Sequence, residues 1–195
     1  MGGNPPIKNH TIVNKIVSSR KIERIIIFTV FRDNWQPFMK KYTEVFRSQF
    51  PNLNTDYLLL DTEQINFDSY LDVDLIIIGG GNTEKYIATY VNQEFKNYIE
   101  LMLKKGAKVL GFSAGALLLG EKVYISPNDH SDHQIKIKNG LGLFNHFLIS
   151  VHYDSWNDKA NKDRAEELVN VPIIPLNDHS CLVLDKSGNI IEKID

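Results

Sequence analysis

The feature that most constrains this chain is an alternation of short apolar runs with longer amphipathic segments. ERIIIFTVF, VDLIIIGGG and AKVLGF are rich in β-branched and aromatic residues, and the second run stops at three glycines. Such runs are typical of strands that are covered on both faces of a sheet. QPFMKKYTEVFRSQF and residues 83–105 are interpreted as helices, and Gly106 closes the second. This alternation predicts an α/β fold, with a mostly parallel central sheet flanked by helices on both faces.

Weaker patterns complete the predicted architecture. Apolar residues at 12–17 in KNHTIVNKIVSS share one helical face, so a helix is expected there. The helix over 83–105 is expected to break near Asn92. Residues 123–140 are polar and poorly patterned, which predicts an irregular excursion over the surface. HFLISVH and VPIIPL are interpreted as strands, DKANKDRAEELV as a helix, and SCLVLDKSGNIIEKI as a hairpin that turns at 186–189. Residues 1–195 are expected to form one domain.

Composition narrows the classes of function. The chain has 195 residues, 43% of them hydrophobic and 24% charged, so it can bury a core. Its net charge of −2 gives no general attraction to nucleic acid or anionic membranes. The single cysteine, Cys181, excludes an internal disulfide and a cysteine zinc site. With neither a signal sequence nor an apolar run long enough to cross a membrane, the cytoplasm is the expected location.

Ser113 in GFSAG is a candidate nucleophile. It lies between an apolar run and the short helical segment AGALLLG, and glycines stand two residues away on each side. A strand-to-helix turn of this form lifts a serine hydroxyl above a sheet, and flanking side chains would collide there. The backbone N–H of Ala114 would then be the first donor to an oxyanion. A small residue in a packed turn is the alternative interpretation.

A second glycine loop, Gly79–Gly81, ends the preceding predicted strand. Its unblocked N–H groups can approach a ligand closely, and Asn82 or Thr83 can cap the next helix. A phosphate-binding loop would need a following Lys-Ser/Thr, which is missing. We therefore expect Gly81 to be the second oxyanion donor, and Gly80, Asn82 and Thr83 to contact the substrate. A tight turn without a ligand is the alternative.

A serine nucleophile needs a base, and the base needs an orienting carboxylate. His152 closes an apolar strand, so it is expected at the carboxyl edge of the sheet beside Ser113. Asp178 also follows a strand and is the preferred acid. Asp154 and Asp158 are interpreted as loop or helix-cap residues, and Asp129 is a weaker candidate. The other histidines are His10, His130, His133, His146 and His179.

The segment NDHSDH contains ligand types for a metal ion, namely Asp129, His130, Asp132 and His133. Its spacing lacks a helical frame that would direct these side chains to one point. A solvated loop is therefore the preferred interpretation, and neither a metal nor an organic cofactor is expected. The tetrapeptide NDHS occurs twice, at 128–131 and 177–180, without a physical reason in the sequence.

Taken in order, these motifs resemble the serine peptidase family that holds aspartyl dipeptidase (peptidase E) and cyanophycinase. The resemblance spans almost the whole chain. It is carried by IIIGGGNTEKY, KKGAKVLGFSAGALLLG, NGLGLFNHFLISVHYD and PLNDHSCLVLD, and MGGNPP is similar to a glycine turn of cyanophycinase-type members. The resemblance implies a three-layer fold like that of class I glutamine amidotransferases.

The resemblance also implies roles for particular residues. Ser113 matches the nucleophile, His152 the general base and Asp178 the acid, while Gly81 and Ala114 match the oxyanion hole. The implied activity is hydrolysis of short peptides through an acyl-enzyme, with a homodimer as a possible assembly. An esterase or deacylase on the same triad and a non-enzymatic ligand-binding domain are the alternatives.

Substrate preference is where the chain departs from the family. Aspartyl dipeptidases hold the substrate's aspartate with an arginine downstream of the histidine. In WNDKANKDRAEEL the only arginine is Arg164, and Asn161 lies nearer the expected place. A preference for aspartyl peptides is therefore not implied.

Overall fold

The computed structural model describes residues 1–3, 15 and 21–195. The helix predicted around 12–17 lies outside these residues, apart from Lys15. The described chain begins its regular structure with strand β1 (Arg24–Phe28) and ends it with strand β10 (Ile190–Ile194).

Four parallel strands form the central sheet, and three of them are the apolar runs predicted as strands. β1 pairs with β2 (Asn54–Leu58) and β3 (Leu75–Ile78), and β3 pairs with β4 (Lys108–Gly111), in the order β2-β1-β3-β4. Every side chain of β3 is buried, and so are four of the five in β1. Strands with this much apolar burial are stable only when both faces of the sheet are covered.

Alternate residues of these strands pack against helices on opposite faces. Ile26, Phe28, Ile76 and Ile78 share a cluster with helices α2 (Thr83–Tyr90) and α3 (Gln93–Lys105). Ile25, Ile27, Leu75 and Ile77 share another with helix α1 (Trp35–Gln49). The period of two along each strand therefore divides the core into two layers, which confirms helices on both faces. A short 3-10 helix (Phe67–Tyr70) precedes β3 and was not predicted.

The expected break near Asn92 is confirmed and has a capping cause. α2 ends at Tyr90, and the Asn92 side-chain oxygen accepts the Phe95 backbone N–H at 2.9 Å to begin α3. An asparagine at this position satisfies a donor that the first helical turn leaves unpaired. Gly106 ends α3 with a left-handed φ of 94°, also as predicted.

The prediction of an irregular excursion over 123–140 is wrong in part. After helix α4 (Ala114–Leu117), strand β5 (Lys122–Ile125) pairs antiparallel with β6 (Lys136–Asn139). Val123, Tyr124 and Ile125 are all at most 1% exposed, so burial of this short apolar group forms a strand despite the polar surroundings. Only the segment between β5 and β6 is irregular.

The last third of the chain builds one more parallel pair and a hairpin. β7 (Leu148–Ser150) and β8 (Ile173–Pro175) run parallel, and helix α5 (Lys159–Val169) connects them. β9 (Cys181–Leu184) pairs antiparallel with β10, which confirms the C-terminal hairpin. The ends of β4 and β7 lie close together, because Ser113, which follows β4, is within hydrogen-bond distance of His152, which follows β7.

Candidate active site

Ser113 occupies the sharp turn between β4 and α4. Its φ of 49° and ψ of −116° lie outside the regions that L-residues ordinarily adopt. A Cβ on Gly111 would lie 2.4 Å from the Gly115 carbonyl oxygen, and one on Gly115 would lie 2.2 Å from that of Ile78. Glycine is therefore required on both sides of the serine, as predicted. The strained serine backbone is of the kind that clusters at functional sites.

The side chains of Ser113, His152 and Asp178 form a hydrogen-bonded chain. Ser113 Oγ lies 2.9 Å from His152 Nε2, and His152 Nδ1 lies 2.5 Å from Asp178 Oδ1. An ionised carboxylate only accepts hydrogen bonds, so the proton belongs on Nδ1 and Nε2 is left to accept the serine hydroxyl. The His152 and Asp178 side chains are 25% and 30% exposed, so the pair is covered but not sealed.

His152 is held firmly in this orientation. It follows β7 by two residues and has a φ of 52°, which again is rare for a residue with a side chain. Its carbonyl oxygen accepts the Trp156 backbone N–H at 2.9 Å, and the two rings pack with centroids 4.6 Å apart. Trp156 was not predicted from the sequence, because nothing in the spacing of a tryptophan four residues after a histidine indicates that the rings meet.

The glycine loop after β3 lies directly against the serine turn. A Cβ on Gly80 would be 3.2 Å from Ser113 Cβ. The Gly80 N–H donates to the Tyr42 hydroxyl oxygen at 3.1 Å, and the Tyr86 hydroxyl donates to the Gly80 carbonyl at 3.4 Å. Burial raises the pKa of both tyrosines, which keeps their hydroxyl groups neutral. The sequence did not single out these two tyrosines. Their hydrogen bonds hold the backbone of the glycine loop in place.

Two backbone donors remain unused at this junction. Neither the Gly81 N–H nor the Ala114 N–H has an acceptor in the described part of the chain. Unpaired N–H groups are rare in folded proteins unless solvent or a ligand satisfies them. Gly81 follows Gly80 in the glycine loop, and Ala114 follows Ser113 in the serine turn. The two N–H groups therefore come from two loops that contact each other at the serine.

The other residues predicted to contact substrate have structural roles. The Asn82 side-chain oxygen caps α2 by accepting the Lys85 N–H at 2.8 Å, which confirms the predicted cap. Thr83 is 1% exposed. Contacts between substrate and Gly80, Asn82 or Thr83 therefore stay predictions.

The alternative carboxylates lie elsewhere. Asp158 is completely buried, and its oxygens accept hydrogen bonds from four side chains. The donors are the hydroxyls of Tyr124, Ser126 and Ser150 and the amide of Asn161, at 2.5 to 3.1 Å. Burial, with the charge of Asp158 second, raises the pKa of Tyr124. Asp158 thus ties β5 and β7 to the start of α5, where it is the N-cap residue. Asp154 is exposed.

The histidine-rich loop after β5 packs against the start of α2. His130 Nδ1 lies 3.7 Å from a Glu84 oxygen, and Lys136 Nζ lies 2.8 Å from the other. Asp129 Oδ2 is 3.7 Å from His130 Nε2. His133, His146 and His179 are exposed, and His10 lies outside the described residues. Among residues 1–3, 15 and 21–195, no group of three or more histidine, cysteine, aspartate or glutamate side chains is placed so that it could hold a metal ion.

Comparisons with known proteins identify the family and the fold of the chain. The family model described as Peptidase family S51 matches residues 30–191, and the chain belongs to that family. It is a serine-type peptidase with an α/β fold. No curated protein matched the chain.

Solved structures support the fold. A peptidase from an acI-B1 Actinobacterium has a TM-score of 0.65 and 17% identity, over 93% of this chain and 80% of that one. A peptidase E protein from Listeria monocytogenes EGD-e has the same TM-score and identity, over 98% and 94% of the respective chains. In the described part of the chain, no helix has the length and apolar character needed to cross a membrane.

Proposed function

We propose that this peptidase hydrolyses short peptides through an acyl-enzyme formed on Ser113. The observation that carries the proposal is the hydrogen-bonded chain from Ser113 through His152 to Asp178. His152 Nε2 takes the Ser113 proton as Oγ attacks the scissile carbonyl, and returns it to the leaving amine. Water then hydrolyses the ester by the reverse proton transfers. Asp178 orients the imidazole and stabilises its charged form.

The free N–H groups of Gly81 and Ala114 are assigned to the oxyanion. They belong to two loops in contact, and each lacks another acceptor in the described residues. Donors that are already oriented stabilise developing charge without reorganising during the reaction. The hydrogen bonds of Gly80 with Tyr42 and Tyr86 support this role, because they fix the loop that carries the Gly81 N–H.

The proposed substrates are short peptides, by resemblance to dipeptidases of the family. An aspartyl preference is not part of the proposal. Arg164 is exposed on α5, and the side chain of Asn161 is bound to Asp158. A cytoplasmic location and a homodimer remain predictions from the sequence.

Replacement of Ser113 tests the mechanism. Ser113→Ala should lower kcat on a panel of dipeptides by about 10⁶, because the three side chains act as a unit. Ser131→Ala is the matched control, since this serine is exposed and outside the site. A serine-reactive phosphonate should label the wild type and the control but not Ser113→Ala. Equal labelling of all three proteins contradicts the mechanism, and turnover of short acyl esters without any peptide turnover contradicts the substrate class.

A further inference from the structure

The first three residues contact the turns that carry all three proposed catalytic side chains. The Met1 carbonyl accepts the Ser113 N–H at 3.1 Å, and the Gly2 carbonyl accepts the His152 N–H at 3.1 Å. The Gly2 N–H donates to the carbonyl of Ser180 at 3.0 Å, two residues beyond Asp178. One tripeptide thus joins the end of β4 to the ends of β7 and β8, which pair with each other but share no ladder with β4 in the described residues.

The hydrogen bonds reach two strained residues. Ser113 and His152 have φ values of 49° and 52°, and each has its N–H held by this tripeptide. Backbone conformations of this kind cost of order 1–3 kcal/mol and persist only where the surroundings over-determine them. Contacts from Met1 and Gly2 supply part of that constraint for both residues at once.

Gly3 lies against the His152–Asp178 hydrogen bond itself. A Cβ at this position would be 2.1 Å from Asp178 Oδ1 and 2.8 Å from both Cε1 and Nδ1 of His152. No real Cβ approaches other atoms that closely, so any side chain at residue 3 must displace the imidazole, the carboxylate or the tripeptide. Gly2 is equally confined, because its Cβ would lie 2.0 Å from the Asn177 carbonyl oxygen.

We propose that Met1–Gly3 is a positioning segment for the reaction, and that Gly3 acts through the His152–Asp178 pair. This inference rests on the proposed function of that pair. The carbonyls of Met1 and Gly2 set the backbones of the nucleophile and the base, while the absent side chain of Gly3 allows the imidazole and the carboxylate to meet. The segment does not touch the reacting bond, so its effect is on alignment and not on chemistry of its own.

A double-mutant cycle tests the assignment. Gly3→Ala should lower kcat by about 10², the loss that misplacement of a reacting group by about 1 Å produces, with KM changed less than about threefold. In an Asp178→Asn background the same change should cost less than about threefold, because the pair through which Gly3 acts is already disabled. Equal losses in both backgrounds would show a general structural defect and overturn the proposal, as would full activity of Gly3→Ala.

Stability is controlled with a variant on the other face of the sheet. Ile99→Val trims a fully buried side chain of α3, in the cluster that does not contain Met1. It should lower the melting temperature without lowering kcat. The spectroscopic readout is the downfield proton resonance of the imidazole N–H that donates to Asp178. This resonance should be present in the wild type and in Ile99→Val, and lost in Gly3→Ala.

Hydrogen exchange on the wild type decides the question even if Gly3→Ala does not fold. The Ser113 and His152 amides should be protected, because their acceptors are the carbonyls of Met1 and Gly2. Rapid exchange at both amides in the folded protein overturns the proposal. Failure of the proposed function is distinguishable, since it would appear as equal phosphonate labelling of the wild type and Ser113→Ala, whatever the protection of these amides.

Discussion

The tetrapeptide Asn-Asp-His-Ser occurs at 128–131 and at 177–180, and its two copies have different surroundings. In the second copy, Asp178 Oδ1 lies 2.5 Å from the imidazole of His152, and His179 is exposed. In the first copy, the aspartate lies 3.7 Å from the neighbouring His130, which itself packs against Glu84. Identical residues therefore contact the imidazole of His152 in one place and form a surface loop in the other.

The difference follows from the strands that precede the copies. The second copy follows β8, which runs parallel to β7, so the residues beyond both strands meet at one edge. The first copy follows β5, whose partner β6 runs in the opposite direction and begins where the loop ends. The direction of the strand before a short polar motif therefore decides whether the motif lies at the candidate site, and the sequence of the motif does not specify its position.

The two aspartates provide the largest expected contrast. Asp178→Asn should lower kcat by about 10⁴, the loss that follows when a triad histidine no longer has a carboxylate to hold its tautomer. Asp129→Asn should change kcat by less than about tenfold. If this variant has a larger loss in kcat/KM, the additional loss should come from a higher KM. Steady-state kinetics on one dipeptide measures both. Similar kcat losses in the two variants would contradict the assignment of Asp178 as the acid.

The two serines should differ in stability. Ser180 is 1% exposed and its hydroxyl donates to Asp195 at 2.9 Å, whereas Ser131 is exposed. Ser180→Ala should reduce the free energy of unfolding by about 1 kcal/mol, and Ser131→Ala by less than about 0.5 kcal/mol. For a chain of this size the first change corresponds to a fall in Tm of about 2–4 °C. Equal values of Tm for the two variants would remove the contrast.

The comparison also explains how far the sequence alone leads. The elbow around Ser113, the glycine loop and the histidine and aspartate at strand ends were predictable because each depends on a local pattern, and parallel strands bring such ends together. The structure brings His152 within hydrogen-bond reach of both Ser113 and Asp178.

What the sequence could not provide is contact between distant segments. Gly3 meets His152 and Asp178 across most of the chain, and no periodicity records that packing. The rings of Trp156 and His152 meet for reasons of local turn geometry that residue types do not reveal. β5 was missed because three buried residues are too few to show a strand period.

Acid should weaken the contacts of the loop that contains residues 128–131 before it affects the segment that contains residues 177–180. Lys136 bonds Glu84 and Asp132, and its hydrogen bonds hold the pKa of each carboxyl below its ordinary value of 4.5 or 3.8. A carboxyl with a depressed pKa in the folded state stabilises that state above its ordinary pKa. The contribution is lost as the pH falls through the folded-state value. The ion pairs of Lys136 with Glu84 and Asp132 should therefore weaken as the pH falls below about 4.5, the ordinary pKa of a glutamate carboxyl.

Hydrogen-exchange protection factors, corrected for the intrinsic pH dependence of exchange, measure this small effect. When the pH is lowered from neutral to below about 4.5, protection of residues 127–138 in the wild type should fall more than protection of residues 176–184. Lys136→Met is the matched control, since it removes the cation that Glu84 and Asp132 share. The loop of this variant should be weakly protected both at neutral pH and in acid. A fall of the same size in Lys136→Met would mean that the two carboxyls do not hold the loop, and that its distinction from the second copy rests on β5 and β6 alone.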